Sequence, residues 1–482
     1  MSRTKLFLEN FFVYGLGGIM SKVVPFIMLP VITRLMPSTF YYGLNDMSSI
    51  AVSFGTAIAT MGMYDTMFRM FFEKEDLEFK KEVCSSTFYF VFFTGIITCI
   101  ILILFRGYCS ELLFSSKQYN NLLIISAISI LVGTTNIIIS APTRMLNKRK
   151  IFLITNTISP VLAYSVSIPM LINKMYIMAL PIASLTASTI ILIVFFILNT
   201  DWFSLRKVNK NLIVQMLKLG VPLMPIFLVY WIFHSCDRIF ISKLIGNAEV
   251  GIYGIGARVA SISQFIYTAF AGGWQYFAFS TMKSEDQVEL TSNIFEYLGI
   301  ISYAAVIFLA PFSDIIFRIF FTGDYVKGSV VFPYLFLAPL LLMLFQTEAN
   351  QFLVIKKTWP TICILAFGAV INIVLNYLLI PIWGIEGSAV ATLIGYISSV
   401  VICSIVLQRM KLIIISKRFL IDCLLLIVYF IFWRIVFRKV FILSFILSIC
   451  VIALFGILYK EELKNIMGKV RSFVKSKKVQ EV

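Results

Sequence analysis

Two basic side chains stand where hydrocarbon is expected. Lys22 lies about eleven residues into an apolar stretch over 11–33, and Arg258 about eight residues into another over 250–277. A charged group at the centre of a membrane helix costs about 2.5–3.5 kcal/mol on insertion scales, so such residues face a watery cavity or a partner. Guanidinium and ammonium groups are suited to phosphate and carboxylate oxygens. The chemistry available to Lys22 and Arg258 is therefore anion capture, or an internal ion pair with an acid on a neighbouring helix. Asp65 and Glu348 fall near the ends of stretches at 45–68 and 329–352. Embedded carboxylates bind protons or sodium, or neutralise nearby cations. Asn372 and Asn376 sit at i and i+4, on one helix face. Hydrogen bonding between helices is their default use, worth about 0.6–2 kcal/mol each in membranes.

The elements that must hold these groups are membrane helices. The chain is 60% hydrophobic and only 13% charged, against about 25% charged in a soluble domain. A span needs about 20 apolar residues. Fourteen such stretches are found, near 11–33, 45–68, 84–105, 121–141, 151–172, 175–198, 212–234, 250–277, 293–317, 329–352, 361–381, 386–407, 417–437 and 440–459. The fold class expected is all-α and polytopic, about fourteen transmembrane helices in the lipid bilayer. The first stretch reads as an uncleaved span rather than a signal peptide.

The net charge of +17 does not point to nucleic acid, because the basic residues sit in short loops between apolar runs. Most of the 41 Lys and Arg residues fall on one side if the N-terminus is cytoplasmic, including Arg69, Lys80, Arg144, Lys150, Arg206 and Lys357. That bias and an even number of spans predict both termini in the cytoplasm. Arg34 and Arg238 are expected to anchor outer helix ends, and Tyr230, Trp231, Trp274, Trp359 and Trp383 to form interfacial belts. The tail over 460–482 is basic, with apolar residues at helical spacing, and reads as an amphipathic helix on an anionic membrane surface.

An internal repeat organises the spans. Ile32-Thr33-Arg34-Leu35-Met36-Pro37 precedes Tyr42-Gly43-Leu44, and Ile241-Ser242-Lys243-Leu244-Ile245-Gly246 precedes Gly251-Ile252-Tyr253. The offset of about 209 residues equals six spans, so the two halves share one orientation. Parallel repeats are related by a pseudo-two-fold axis along the membrane normal, with the site between them. The expected units are an N-terminal lobe over 1–205, a C-terminal lobe over 206–410, two additional helices over 411–459, and the tail over 460–482. Paired prolines, Pro25 and Pro30 in the first span and Pro222 and Pro225 in the seventh, are placed to bend matching helices.

Several segments resemble polysaccharide flippases. They are Leu219-Gly220-Val221-Pro222, Asp237-Arg238-Ile239-Phe240-Ile241, and Val250-Gly251-Ile252-Tyr253. A further likeness runs from Asn372-Ile373-Val374-Leu375-Asn376-Tyr377 through Ile380-Pro381 to Gly384-Ile385-Glu386-Gly387-Ser388-Ala389. The resemblance implies the multidrug/oligosaccharidyl-lipid/polysaccharide exporter superfamily, with two six-helix lobes around a central cavity and, in the polysaccharide branch, two additional helices. It implies a substrate that is an undecaprenyl-pyrophosphate-linked glycan, moved between leaflets of the bacterial inner membrane for O-antigen or capsule assembly. A polysaccharide polymerase and a chain-length regulator are the implied protein partners. Lys22 and Arg258 then become candidate ligands for pyrophosphate or acidic sugar, and Asn372 and Asn376 candidate sugar contacts. Asp65 and Glu348 become candidate ion-coupling groups.

Two other classes compete with this reading. A multidrug exporter of the same superfamily would use an acidic, aromatic pocket, which Lys22 and the two additional spans disfavour. A glycan polymerase or other membrane enzyme would carry a large outer loop or an acidic catalytic cluster. No Asp-x-Asp, nucleotide loop or metal-ligand cluster occurs, and no cofactor is expected.

Overall fold

The computed structural model describes residues 22–282, 284–437, 440–462 and 464. The first half of the expected first span, and the tail apart from 460–462 and 464, lie outside the described residues. Among the described residues there is helix and turn but no β-strand. The physical reason is the solvent: with no water in the hydrocarbon, a helix satisfies its backbone donors and acceptors internally.

The helices are α1 (22–35), α2 (Thr39–Thr60), α3 (Met63–Phe71), α4 (Leu77–Leu104), α5 (Arg106–Phe114), α6 (Asn120–Met145), α7 (Arg149–Ile172) and α8 (Ala179–Asn199). They continue with α9 (Lys210–Gly220), α10 (Met224–Leu244), α11 (Asn247–Ala260), α12 (Ser263–Ser280), α13 (Gln287–Leu309) and α14 (Ser313–Phe320). The last five are α15 (Phe332–Val354), α16 (Trp359–Trp383), α17 (Ile385–Arg409), α18 (Lys417–Phe432) and α19 (Phe441–Leu458). Eleven segments among the described residues are long and apolar enough to cross a membrane. The other three expected spans are α1, α2–α3 and α11–α12.

The last two are interrupted, where hydropathy had suggested unbroken spans. Met61 and Gly62 both take left-handed backbone, φ +49° and +69°. Gly62 packs on the backbone of Gly220, and a Cβ there would stand 2.5 Å from the Gly220 carbonyl oxygen. Apolar periodicity does not record such a contact. The break at 261–262 follows Ser261, whose hydroxyl donates to the Arg258 carbonyl at 2.7 Å. A serine that bonds its own helix backbone competes with the ladder. The seventh span is also bent, through a 3-10 turn at Val221–Leu223 that contains Pro222.

Loops gather at two ends. At one, called upper, the Tyr325 hydroxyl donates to the Ser38 carbonyl at 3.1 Å and Asn247 Nδ2 to the Phe114 carbonyl at 3.0 Å. At the lower end Lys207 pairs with Glu78, and the backbone N–H groups of Ser204 and Asn209 donate to Ser85 and Ser86 at 3.0 and 2.9 Å. The helices thus cross serially between two faces. The charge bias of the loops makes the upper end the expected outer one.

In the N-terminal half α2, α4 and α8 pack around α6, with α7 against α8; in the C-terminal half α17 packs on α15 and α16, and α10 on α16. The halves meet where α2 crosses α11. The crossing is reciprocal. A Cβ on Gly43 would stand 1.8 Å from the Asn247 carbonyl oxygen, and one on Gly251 would stand 1.9 Å from the Thr39 carbonyl oxygen. Only glycine permits this approach, and small residues are the usual means of bringing membrane helices together. The two approaches join the segments that the repeat matches in the two halves. α18 and α19 lie outside the repeat and pack on α13. The Tyr459 hydroxyl, at 2.6 Å from Glu296 Oε1 and 2.9 Å from Asp422 Oδ2, ties them to it.

Candidate functional site

One turn below Gly43, on the same face of α2, Asp46 projects into the crossing. Arg238 on α10 donates through Nε to Asp46 Oδ2 at 2.6 Å. Arg258 on α11 approaches Asp46 Oδ1 through Nη2 at 3.4 Å. Gly254 leaves the room, since a Cβ on it would lie 2.6 Å from Asp46 Oδ2. Arg258 also lies over the Tyr42 ring at 5.4 Å, and Arg238 over the Tyr253 ring at 5.6 Å. One carboxylate therefore holds two guanidinium groups across the interface of the halves.

The two arginines are not equivalent. Arg238 is 16% exposed and also donates to the His234 carbonyl at 2.5 Å. Arg258 is 40% exposed, and its contact with Asp46 is the longer one. Arg258 lines two cavities at once. One, of about 200 Å³, is formed in the C-terminal half with His234, Asp237, Arg238, Gln264 and Thr392. The other, of about 390 Å³, lies in the N-terminal half between α1, α2, α7 and α8. Arg258 is thus a cation at the junction, open to both cavities.

Lys22 heads α1 as described, and it is exposed. Its ammonium stands 5.7 Å from the Phe265 ring centroid. Pro25 and Leu29, three and seven residues further on and on the same helix face, line the cavity that Arg258 lines. At 1.5 Å rise per residue, Lys22 and Arg258 lie roughly 20 and 16 Å from the upper ends of their helices. The two cations therefore stand at similar depth, although Lys22 is not among the residues that line either cavity.

The other sequence candidates are placed apart from it. Asn372 and Asn376 are fully buried between α16 and α17. Asn372 Nδ2 donates to Thr392 Oγ1 at 3.0 Å, and the Ser388 hydroxyl to Asn376 Oδ1 at 2.5 Å. Neither lines the two cavities; Thr392, in front of Asn372, does. Asp65 is exposed in the first turn of α3 with no ion pair among the described residues. Glu348 is fully buried; Oε2 accepts from Ser404 at 2.6 Å, and Oε1 has no hydrogen-bond partner among the described residues.

Asp46 was not among the sequence candidates, and Arg238 was read as an interfacial anchor. The structure corrects the second reading, because α10 runs on to Leu244 and carries Arg238 inside. Trp231, expected in a belt, instead packs on Phe54 with ring centroids 4.6 Å apart and donates to Ser53 at 3.2 Å. Among the described residues no three His, Cys, Asp or Glu side chains gather as a metal site. Asp237, which accepts from the Tyr253 hydroxyl, and Asn372 lie to either side of Thr392.

Comparisons with known proteins fit this architecture. The family described as polysaccharide biosynthesis protein matches residues 31–330, more than half of the chain. An uncharacterized membrane protein of Methanocaldococcus jannaschii is 25% identical over 206 residues, 43% of this chain and 49% of that protein. The match thus spans about half the length of that curated relative. Among solved structures, a lipid II flippase MurJ in an inward closed conformation superposes with a TM-score of 0.69 at 18% identity, over 94% of this chain and 100% of that one. An inward-facing multidrug resistance MATE transporter of the MOP superfamily gives 0.63 at 15% identity, over 82% and 98%. A MOP superfamily transporter from Pyrococcus furiosus gives 0.56 at 14% identity, over 84% and 95%. These likenesses establish the two-lobed fold.

Proposed function

The chain belongs to the polysaccharide biosynthesis protein family, and from that premise we propose that it flips undecaprenyl-pyrophosphate-linked oligosaccharide repeat units across the bacterial inner membrane. It is a multi-pass membrane protein. In this reading both termini are cytoplasmic, and the glycan passes to a polysaccharide polymerase and chain-length regulator for O-antigen or capsule assembly.

The substrate sets the requirement. An isolated ion moved into hydrocarbon loses hydration worth on the order of tens of kcal/mol. A hydrated cavity with a cation in waiting removes most of that barrier. The observation that carries the reading is Arg258, exposed to both cavities while held by Asp46 across the crossing of the halves. An arriving pyrophosphate exchanges with Asp46 at Arg258, with Lys22 as the second cation. The exchange removes one link between α2 and α11, and the upper closure loosens. When the lipid leaves, Asp46 takes Arg258 back and the closure re-forms. The ligand shifts the equilibrium only through this differential contact.

The remaining candidates have secondary parts in this mechanism. Asn372 and Asn376 support Thr392 behind the C-terminal cavity. Glu348 and Asp65 are the carboxylates offered for coupling to an ion gradient. No bond of the substrate is made or broken. A multidrug exporter is less well supported, since a guanidinium at the junction repels cationic drugs.

The test is transport by the purified chain in liposomes. Undecaprenyl-pyrophosphate-linked glycan added to one leaflet should reach the other faster than in protein-free vesicles. Equal rates would refute the reading.

A further inference from the structure

The cavity of the N-terminal half has a lining unlike that of its counterpart. Apart from Arg258 at its edge, it is lined by neutral groups. Asn45, Asn156, Ser159, Ser184 and Ser188 all line it, and none of their side chains hydrogen-bonds another protein group in the described structure. That is unusual for these helices. The hydroxyls of Thr157, Thr186 and Thr189, neighbouring positions on the same α7 and α8 that do not line this cavity, each bond the carbonyl four residues back. Such back-bonding is the ordinary fate of a helical hydroxyl at this depth. Ser184 and Ser188 are at i and i+4 on α8, and Asn156 and Ser159 at i and i+3 on α7, so each pair shares a helix face. Ala163, Ala183 and Ala187 around them keep the space open.

Unpartnered polar groups in hydrocarbon are costly unless something polar fills the space. Amides and hydroxyls both donate and accept. They fit a ligand that does the same and carries no charge. The cavity continues into a second, of about 250 Å³, which shares Asn156 and Ser159 and reaches Arg144. With the first, of about 390 Å³, this lies within the range of about 300–1,000 Å³ usual for small-molecule sites.

We propose that this cavity, walled by α1, α2, α7 and α8, is the saccharide site. The pyrophosphate sits at Arg258, and the adjoining neutral sugars offer their hydroxyls to Asn156, Ser159, Ser184 and Ser188. This rests on the flippase reading, and it locates sugar selection in one half only. The two halves would then divide the work, the N-terminal half reading the glycan and the interface holding the charge.

Binding to the full-length chain in nanodiscs tests this. The probes are undecaprenyl pyrophosphate and the same lipid carrying a neutral trisaccharide. The unaltered chain should bind the trisaccharide lipid more tightly than the bare one. The N156A, S184A, S188A variant should lose about tenfold or more of its affinity for the trisaccharide lipid, as expected for two or more net hydrogen bonds. Its affinity for bare undecaprenyl pyrophosphate should be unchanged, which also reports that it is folded. If the variant keeps the full preference for the sugar, or the unaltered chain shows none, the cavity holds only water and the proposal is overturned. If the unaltered chain binds neither lipid, the flippase reading itself fails.

Discussion

Arg258 reaches across the crossing of α11 and α2 to Asp46, its Nη2 3.4 Å from Oδ1, while Arg238 holds the other carboxylate oxygen at 2.6 Å. Asp46 is thus fully engaged by one partner and loosely by the other.

Removing the shared carboxylate should therefore cost more than removing the tight pair together. Breaking a buried pair by deleting one partner costs about 3–5 kcal/mol, whereas replacing both with apolar groups is often close to neutral. Asp46→Ala should lower the melting temperature of the detergent-solubilised protein more than the Asp46→Ala, Arg238→Met double variant does. The reverse order would show that the ion pair is not the element that matters.

Gly43→Ala should disturb the upper closure. The new methyl group would meet the Asn247 carbonyl oxygen, which the backbone cannot yield without separating α2 from α11. A cysteine placed at Ser49, in the N-terminal cavity, should then react faster with a membrane-impermeant thiol reagent added outside. Unchanged labelling would mean that the crossing does not seal that side.

Glu348→Gln should leave the protein at normal membrane levels, because glutamine fills the same space beside Ser404. A buried carboxylate with no cation is costly when charged. If Glu348 takes up the coupling proton, transport by the glutamine variant should no longer respond to an imposed proton gradient. A full response would remove Glu348 from the coupling scheme.

Reporter fusions check the orientation behind all of these. A fusion after Ser115 should report the outside and one after Lys148 the cytoplasm. An exchange of the two would invert the upper and lower ends.

Much of this fold is legible in the sequence because long apolar runs are a strong signal. The helices α4, α6, α7 and α8, and those from α15 to α19, begin and end within several residues of the expected spans, while the short α5 matches none of them. The halves and their axis follow from a short repeat. The site is less legible. The second span was expected to begin at residue 45, which put Asp46 at an interface; α2 in fact begins at Thr39. The seventh was expected to end at 234, which hid Arg238. In both cases a helix continues past its apolar core because polar residues find partners across the halves. An acid in a Gly- and Ser-rich span opposite an embedded arginine was the available signal. Asn372 and Asn376 were assigned to one helix face correctly, but sequence does not say which neighbour that face meets.

The central claim is that Lys22 and Arg258 present positive charge to the lipid-linked anion within the membrane. Its most direct test is the flipping rate of undecaprenyl-pyrophosphate-linked glycan in liposomes at matched protein density. Arg258→Ala should slow transport about tenfold or more, the loss expected when a charge-assisted hydrogen bond of about 1.5–3 kcal/mol is removed. Lys22→Ala should slow it as well, and Lys22→Arg should slow it less. A Lys22→Ala, Arg258→Ala double variant that flips the lipid at the unaltered rate would contradict the electrostatic mechanism.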